Sequence, residues 1–250
     1  FTQDLLPMAL IPATILTGFL GSGKTTLLKR VLSEAHGQKI AVVENEFGEE
    51  NIDNEILVAD TTENIIQMSN GCICCSIRDD LRSTLADLAE KKRKGELDFE
   101  RVVIETTGLA DPGPVAQTFF MDDEIADQYL LDAIVTLVDA FNAERHLIET
   151  IAQAQVGFAD LILLSKTDLA DASSVEALRT RLQRINRRAP IEVVEHGHID
   201  LAALLDLRGF ELDPMLARGL TLRPLTPATN MPDRIRTLVL ESLEPVDLER

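Results

Sequence analysis

The stretch Gly18-Phe19-Leu20-Gly21-Ser22-Gly23-Lys24-Thr25 constrains this chain more than any other, because it satisfies G-x-x-x-x-G-K-[ST] in the setting that pattern needs. Upstream, Ala13-Thr14-Ile15-Leu16-Thr17 is a short β-prone run; downstream, Thr26-Leu27-Leu28-Lys29-Arg30-Val31-Leu32 has the apolar periodicity of a helix. Strand, glycine loop and helix in that order predict a P-loop, whose glycines turn backbone N–H groups inward around phosphate oxygens while the helix N-terminus adds partial positive charge. The predicted nucleotide-binding set is Gly18, Gly21, Ser22, Gly23, Lys24, Thr25 and Thr26, with Lys24 reaching the β and γ phosphates and the Thr25 hydroxyl ligating Mg²⁺. The bland alternative, a glycine-rich turn before an ordinary helix, leaves the completeness of the pattern unexplained.

The chain has enough apolar material to build a domain around such a loop. Its 250 residues, 45% of them hydrophobic, predict one α/β domain plus at most a fragment of another. No apolar run of about 18 residues occurs, so no membrane span is expected. Phe1 to Pro7 lacks the basic region and apolar core of a secretory signal, and Met8 is the expected natural start, with Phe1 to Pro7 an upstream extension. A formal net charge of −18 argues against a nucleic-acid-binding surface, since phosphate backbones attract the opposite sign, and suits cations or a basic partner. The three cysteines, Cys72, Cys74 and Cys75, are too crowded for a disulfide framework and suit a reducing cytoplasm and thiolate chemistry.

After the first helix, expected to end near Ala35-His36-Gly37, Lys39-Ile40-Ala41-Val42-Val43 reads as a strand buried on both faces of a parallel sheet. It delivers Glu44-Asn45-Glu46-Phe47-Gly48-Glu49 to the strand's C-terminal end, the edge where open α/β sheets place ligands. A solvated acidic loop is the ordinary reading; proximity to the P-loop adds a switch or metal-binding role, with Glu44 and Glu49 as candidate ligands. A further apolar run, Asn64 to Met68, precedes Ser69-Asn70-Gly71-Cys72-Ile73-Cys74-Cys75. C-x-C-C packs three soft donors into four residues and suits Zn²⁺ or Cu⁺ better than Mg²⁺ or Ca²⁺. A tetrahedral site needs a fourth ligand that this run lacks, which favours exchange of the metal over permanent storage. Three buried small hydrophobes, or a redox pair of Cys72 with Cys75, remain the alternatives.

A helical pattern runs from Ile77 to Lys94, with Leu81, Leu85, Leu88 and Ala89 on one face and Gly95 ending it. Arg101-Val102-Val103-Ile104 is then a buried strand entering Glu105-Thr106-Thr107-Gly108, the form of a Walker B segment with Glu for the commoner Asp. Glu105 is expected to hold a Mg²⁺-bound water, and the Gly108 N–H to reach the γ-phosphate, so Lys24, Thr25, Glu105 and Gly108 form the predicted catalytic set. Asp111-Pro112-Gly113-Pro114 precedes a helix at about Val115 to Phe120, Ala133 to Asp139 is the next strand, and a helix from about Asn142 to Gln155 follows. Leu161-Ile162-Leu163-Leu164 enters Ser165-Lys166-Thr167-Asp168, where GTPases normally carry N-K-x-D. Asp168 would accept hydrogen bonds from guanine N1–H and N2–H₂, a donor pair that adenine lacks. Alternatively Asp168 is an N-cap of the helix predicted at Ser173 to Arg187. Ile191 to Glu195 is a last strand, with His196-Gly197-His198 at its end, and His196 is a candidate for the missing metal ligand.

Taken in order, GFLGSGKTT, ENEFGE, NGCICC, ETTGLADPGP, LVDA and SKTD resemble the CobW family of metallochaperone GTPases over about Ile11 to Asp213. Helix-length connections between the strands, with right-handed crossovers, predict an α/β, doubly wound, mainly parallel sheet of the P-loop NTPase type, whose central strands end at Thr17 and Glu105, and the resemblance agrees. The resemblance implies GTP, Mg²⁺ and a transition metal, zinc first, as ligands, with the thiolates of Cys72, Cys74 and Cys75 as the main metal donors. A client metalloprotein is the implied partner, with neither nucleic acid nor membrane, in the cytoplasm. Residues 8–220 are then the GTPase domain and 221–250 the start of a C-terminal domain whose remainder is expected beyond Arg250. The family's frequent histidine-rich segment does not occur; the histidines are His36, His146, His196 and His198. Two other classes stay open: a P-loop kinase or ATPase with a structural zinc site, and a nucleotide-gated switch with negligible turnover. Intrinsic hydrolysis is expected to be slow, because no residue reads as a water-orienting glutamine or an arginine finger.

Overall fold

The computed structural model describes residues 9–33, 38–45, 54–60, 64–70, 77–195, 197–199, 204 and 207, with the backbone alone for 44–45, 54–60, 64–70 and 77–80. Contacts divide the chain after Gly209, and every described residue belongs to the first part. In chain order the elements are β1 (Ile11–Gly18), α1 (Lys24–Ser33), β2 (Ile40–Asn45), β3 (Asn54–Asp60), β4 (Asn64–Asn70), α2 (Ile77–Lys94) and β5 (Arg101–Thr106). There follow α3 (Pro112–Met121), α4 (Asp123–Ala126), β6 (Tyr129–Asp139), α5 (Ala143–His146), α6 (Thr150–Phe158), β7 (Leu161–Ser165), a 3₁₀ turn at Thr167–Leu169, α7 (Ala172–Ile185) and β8 (Ile191–Val194).

The strands make one sheet in the order β4-β3-β2-β5-β1-β6-β7-β8. β5 and β1 are its centre, as the sequence predicts. Pairings are parallel from β2 through β8, and only β3 runs against its neighbours β2 and β4. The antiparallel β3–β4 hairpin is not anticipated by the sequence reading, which finds no strand at Asn54–Asp60. Because β3 reverses twice, β4 points the same way as β2. β4 therefore ends, at Asn70, on the edge that carries the C-terminal ends of the parallel strands.

Side-chain alternation along the strands sends neighbouring residues to opposite faces. Leu161 and Leu163 of β7 pack in one cluster with Leu27, Leu28 and Val31 of α1. Ile162 and Leu164, one residue out of phase, pack in another with Ala152 and Val156 of α6 and Leu178 and Leu182 of α7. Helices thus cover both faces, which is why the central strands are continuous apolar runs instead of alternating ones. Among the described residues no helix is long and apolar enough to cross a membrane.

Two helix boundaries depart from expectation for identifiable reasons. α3 begins at Pro112, because proline is preorganised for a first helical position and the Asp111 side chain accepts the Gly113 N–H, 2.8 Å away. The helix expected over Asn142 to Gln155 is two, α5 and α6. At the break, the Leu147 carbonyl is satisfied by Gln153 Nε2 and Arg181 Nη2, each at 2.9 Å, so tertiary partners replace the helical ladder.

Candidate functional site

The P-loop leaves the central strand where its geometry is least tolerant. Gly18 has φ +141, and a Cβ there would lie 2.4 Å from the Leu137 carbonyl oxygen of β6, so only glycine lets the chain turn out of the sheet at this point. The turn closes with the Ser22 N–H donating to the Phe19 carbonyl at 3.2 Å, and α1 starts at Lys24. Lys24 Nζ donates to the Gly18 carbonyl at 2.8 Å, folding the side chain back over its own loop. Burial holds the Lys24 ammonium below its ordinary pKa, opposed by the charge of Glu105. The Ser22 side chain is fully buried, and its Oγ has no hydrogen-bond partner among the described residues. A cation partly stripped of water and a buried unpaired hydroxyl in one glycine loop are the chemistry of an anion cradle.

Across the sheet edge, β5 brings Glu105 beside the start of α1. Thr25 Oγ1 donates to Glu105 Oε1 at 3.1 Å, and behind them the Thr106 and Thr17 hydroxyls bond at 2.9 Å, tying β5 to β1. A hydroxyl and a carboxylate at this separation are a hard-oxygen pair that fits Mg²⁺ rather than a soft metal. Gly108 lies two residues past β5 and against the loop: a Cβ on it would sit 2.6 Å from the Leu20 backbone nitrogen. Lys24, Thr25, Glu105 and Gly108, separated by up to 84 positions in the sequence numbering (108 − 24), thus converge on one edge.

The SKTD segment completes the other side. Lys166 has φ +55, a left-handed backbone that a non-glycine residue adopts at a cost. Its Nζ donates to the Gly21 carbonyl and to Asp139 Oδ2, both at 2.7 Å. Ser165, standing where GTPases usually have Asn, donates its hydroxyl to the Ser22 carbonyl at 2.7 Å. The substitution therefore keeps a tether to the P-loop. Asp168 is exposed in the 3₁₀ turn. The cap of α7 is instead Asp171, which accepts the Ser174 N–H at 2.9 Å. The capping explanation of Asp168 is thereby removed.

Three participants are given no role by the sequence, although Asp139 belongs to the LVDA segment. Asp139, at the end of β6, accepts from the Phe141 and Asn142 backbone N–H groups and from Asn142 Nδ2 as well as from Lys166. Burial pulls its carboxyl upward, but Lys166 and Asn142 outweigh it and hold the group below the usual aspartate range. The turn at Gly197 rests on α1, where a Cβ would come 3.5 Å from the Thr26 carbonyl oxygen. Gln155 reaches the loop beyond β5. An open cleft of about 550 Å³ flanks the P-loop, lined among others by Phe19, Leu20, Asp139, His146 and Lys166, with the Phe19 and His146 rings 4.7 Å apart.

Of the predicted metal ligands, Cys72, Cys74, Cys75, Glu49 and His196 lie outside the described residues. Glu44 is the register partner of Glu105 across the β2–β5 pair, at the same edge as the P-loop. Among the described residues no group of three or more His, Cys, Asp or Glu is poised for a metal. β4 and β8, whose ends lead to Cys72 and to His196, are the two margins of the sheet. Seven strand spacings separate them, roughly 34 Å at about 4.8 Å each. β2 is only two spacings from β4.

A family profile described as CobW/HypB/UreG, nucleotide-binding domain, matches residues 12–193 of this chain. The chain belongs to that family. Among CobW relatives, it is 52% identical over 204 residues to the zinc chaperone YjiA of Escherichia coli K12, covering 81% of this chain and 63% of the relative. It is 37% identical over 208 residues to zinc-regulated GTPase metalloprotein activator 1 of Schizosaccharomyces pombe, covering 80% and 50%. The crystal structure of Zn(II)-bound YjiA GTPase from E. coli superposes with a TM-score of 0.65 at 51% identity, over 82% of this chain and 64% of that one. The chain spans less than two thirds of the length of these relatives. The doubly wound, mainly parallel CobW-family fold is the one the sequence predicts.

Proposed function

We propose that this chain binds GTP with Mg²⁺, hydrolyses it slowly, and couples that cycle to the loading and delivery of a transition metal, zinc first, for a client metalloprotein. The observation that carries the reading is that the Lys24–Thr25–Glu105 group and the Lys166 brace are joined at the sheet edge on which the strand leading into the cysteine run also ends. Relatives named zinc chaperone and zinc-regulated GTPase support the pairing of the two activities.

Each residue's task follows from its place. On triphosphate binding, Lys24 exchanges the Gly18 carbonyl for phosphate oxygens, an exchange helped by the partial desolvation of its ammonium. Thr25 would ligate Mg²⁺ and Glu105 would hold a Mg²⁺-bound water, and the ion would supply charge neutralisation to the transferring phosphoryl group. The Gly108 N–H faces the γ-phosphate, and Asp168 reads the guanine edge. Ser165 and Lys166 keep the P-loop carbonyls of Ser22 and Gly21 fixed so that its N–H groups point inward. For the metal cargo, the proposal takes Cys72, Cys74 and Cys75 with Glu44 or Glu49 as the fourth donor. His196 is the alternative fourth donor. The domain boundary is proposed near residue 220 and the location in the cytoplasm.

The test is a competitive zinc titration under reducing conditions in the apo, GDP and non-hydrolysable-GTP states, repeated with Cys74→Ser. Linkage requires that whatever factor GTP applies to zinc affinity, zinc applies to GTP affinity. Coupling predicts different zinc affinities in the three states. Identical affinities would eliminate it and leave a GTPase with an incidental thiolate site.

A further inference from the structure

Gln155 is a buried polar residue whose place packing alone does not explain. It sits on α6 with only 1% of its surface exposed, in a helix that otherwise buries Ala152 and Val156. Its Nε2 donates to the carbonyls of Gly108 at 3.2 Å and Ala110 at 3.0 Å, across the interval between α6 and the loop beyond β5. Two carbonyls facing the amide fix its orientation, since the reversed amide would set oxygen against oxygen. Its Oε1 is then buried with no partner among the described residues. An apolar side chain would remove the unpaired Oε1 but take this donor from the Gly108 and Ala110 carbonyls, so the glutamine leaves one buried acceptor unpaired in holding two loop carbonyls in place. The helix itself is anchored to the sheet there, with Thr136 Oγ1 of β6 donating to the Gln155 carbonyl at 2.8 Å.

The loop so held is the one that approaches the P-loop. Gly108 is buried, and its α-carbon comes so near Leu20 that a methyl group would strike the Leu20 backbone at 2.6 Å. Beyond it the Ala110 N–H closes a turn on the Thr107 carbonyl at 3.1 Å, and Asp111 caps α3. The peptides of residues 108 to 110 are therefore fixed from outside the loop by Gln155.

We infer that Gln155 is a positioning residue for the γ-phosphate: by clamping the Gly108 and Ala110 carbonyls it holds the Gly108 N–H at the P-loop, and so sets how strongly the site prefers a nucleoside triphosphate to a diphosphate. This rests on the GTP reading above. Gln155 acts through the loop. With its amide committed to two carbonyls, it does not orient the attacking water, in keeping with slow intrinsic turnover.

The test compares fluorescent GDP with a fluorescent non-hydrolysable GTP analogue, in the presence of Mg²⁺, on the unmutated chain, Gln155→Met and Gly108→Ala. Methionine keeps the volume and removes the hydrogen bonds; alanine at 108 forces the loop off the P-loop from the loop side, with Gln155 itself unchanged. Both variants are expected to bind GDP within about twofold of the parent and the analogue about tenfold more weakly, the loss of one charge-assisted hydrogen bond. Single-turnover hydrolysis should fall in the same proportion. A general loss of structure would instead weaken both nucleotides together. If Gln155→Met does not fold, Gln155→Asn, which keeps the amide but falls short of both carbonyls, carries the same expectation. A folded Gln155 variant that keeps the parental ratio of the two affinities overturns the inference, as does an unchanged ratio in Gly108→Ala. If the unmutated chain fails to bind GTP, the GTP reading falls and this inference with it.

Discussion

Replacing Asp139 by Asn tests the bracing of the P-loop without altering the loop itself. One oxygen of the carboxylate accepts from the Phe141 and Asn142 backbone N–H groups at 3.0 and 3.1 Å, and an amide oxygen takes over both bonds. The other accepts from Lys166 Nζ at 2.7 Å and Asn142 Nδ2 at 2.9 Å, and there the substitution sets an NH₂ group against two donors. The Lys166 pair is charge-assisted, but with 36% of the Lys166 side chain exposed, solvent screens it to about 1 kcal/mol. The Asn142 bond to a charged acceptor adds about 1.5 kcal/mol. The sum, about 2 to 3 kcal/mol, corresponds to a fall in Tm of about 4 to 12 °C for a domain of this size. Lys166 also loses the partner that holds it on the Gly21 carbonyl, so GDP affinity should drop by about tenfold. Differential scanning fluorimetry and displacement of fluorescent GDP measure the two effects on one sample. A variant that melts within about one degree of the parent and binds GDP unchanged would refute the bracing argument.

Lys24→Ala should abolish tight triphosphate binding in calorimetry while leaving the melting temperature close to the parent's; retained micromolar GTP binding contradicts the assignment of the cradle. Asp168→Asn should weaken GTP by about 1 to 3 kcal/mol, the cost of unpaired base donors, and relax discrimination against other purines. Equal competition by ATP and GTP in the unmutated chain would remove guanine specificity altogether. Gly18→Ala should destabilise the domain by more than about 3 kcal/mol, because it adds backbone strain to a collision with the Leu137 carbonyl; a normal chemical denaturation midpoint would mean the loop leaves β1 differently. His146 lies below its ordinary value of 6.5 because burial disfavours the imidazolium, helped by Lys166 and Arg145 and opposed by Asp139. A depressed value means the neutral ring is preferred in the fold, so its contribution is present above pH 6.5 and is lost as the pH falls through the lower folded-state value. An NMR titration of its ring protons should give a midpoint under 6.5, and one at or above it contradicts the packing against Phe19.

The sequence by itself determined the elements whose physics is local. The glycine loop between a β-prone run and a helical one, the apolar strands ending in Glu105 and Ser165, and the helix over Ile77 to Lys94 were each legible because a turn, a period or a cap writes itself into neighbouring residues. So were the residues that chemistry requires at fixed spacing, Lys24 and Thr25 above all. What tertiary structure decided were the relations between distant segments. No local signal says that β3 pairs antiparallel with β2, since a seven-residue strand takes its direction from the sheet edge it finds. None says that the helix after β6 breaks at Leu147, because the partners that make the break cheap include Arg181, 34 residues away. Asp139, Ser165 and Gln155 read as a strand end, an imperfect motif and a helix residue; only the fold sets Asp139 against Lys166 Nζ and turns Ser165 and Gln155 toward the carbonyls of Ser22 and Gly108. Hydrogen bonds between segments far apart in sequence depend on where closed topology leaves an unpaired group. That is a property of the packed sheet, not of any window of residues along the chain.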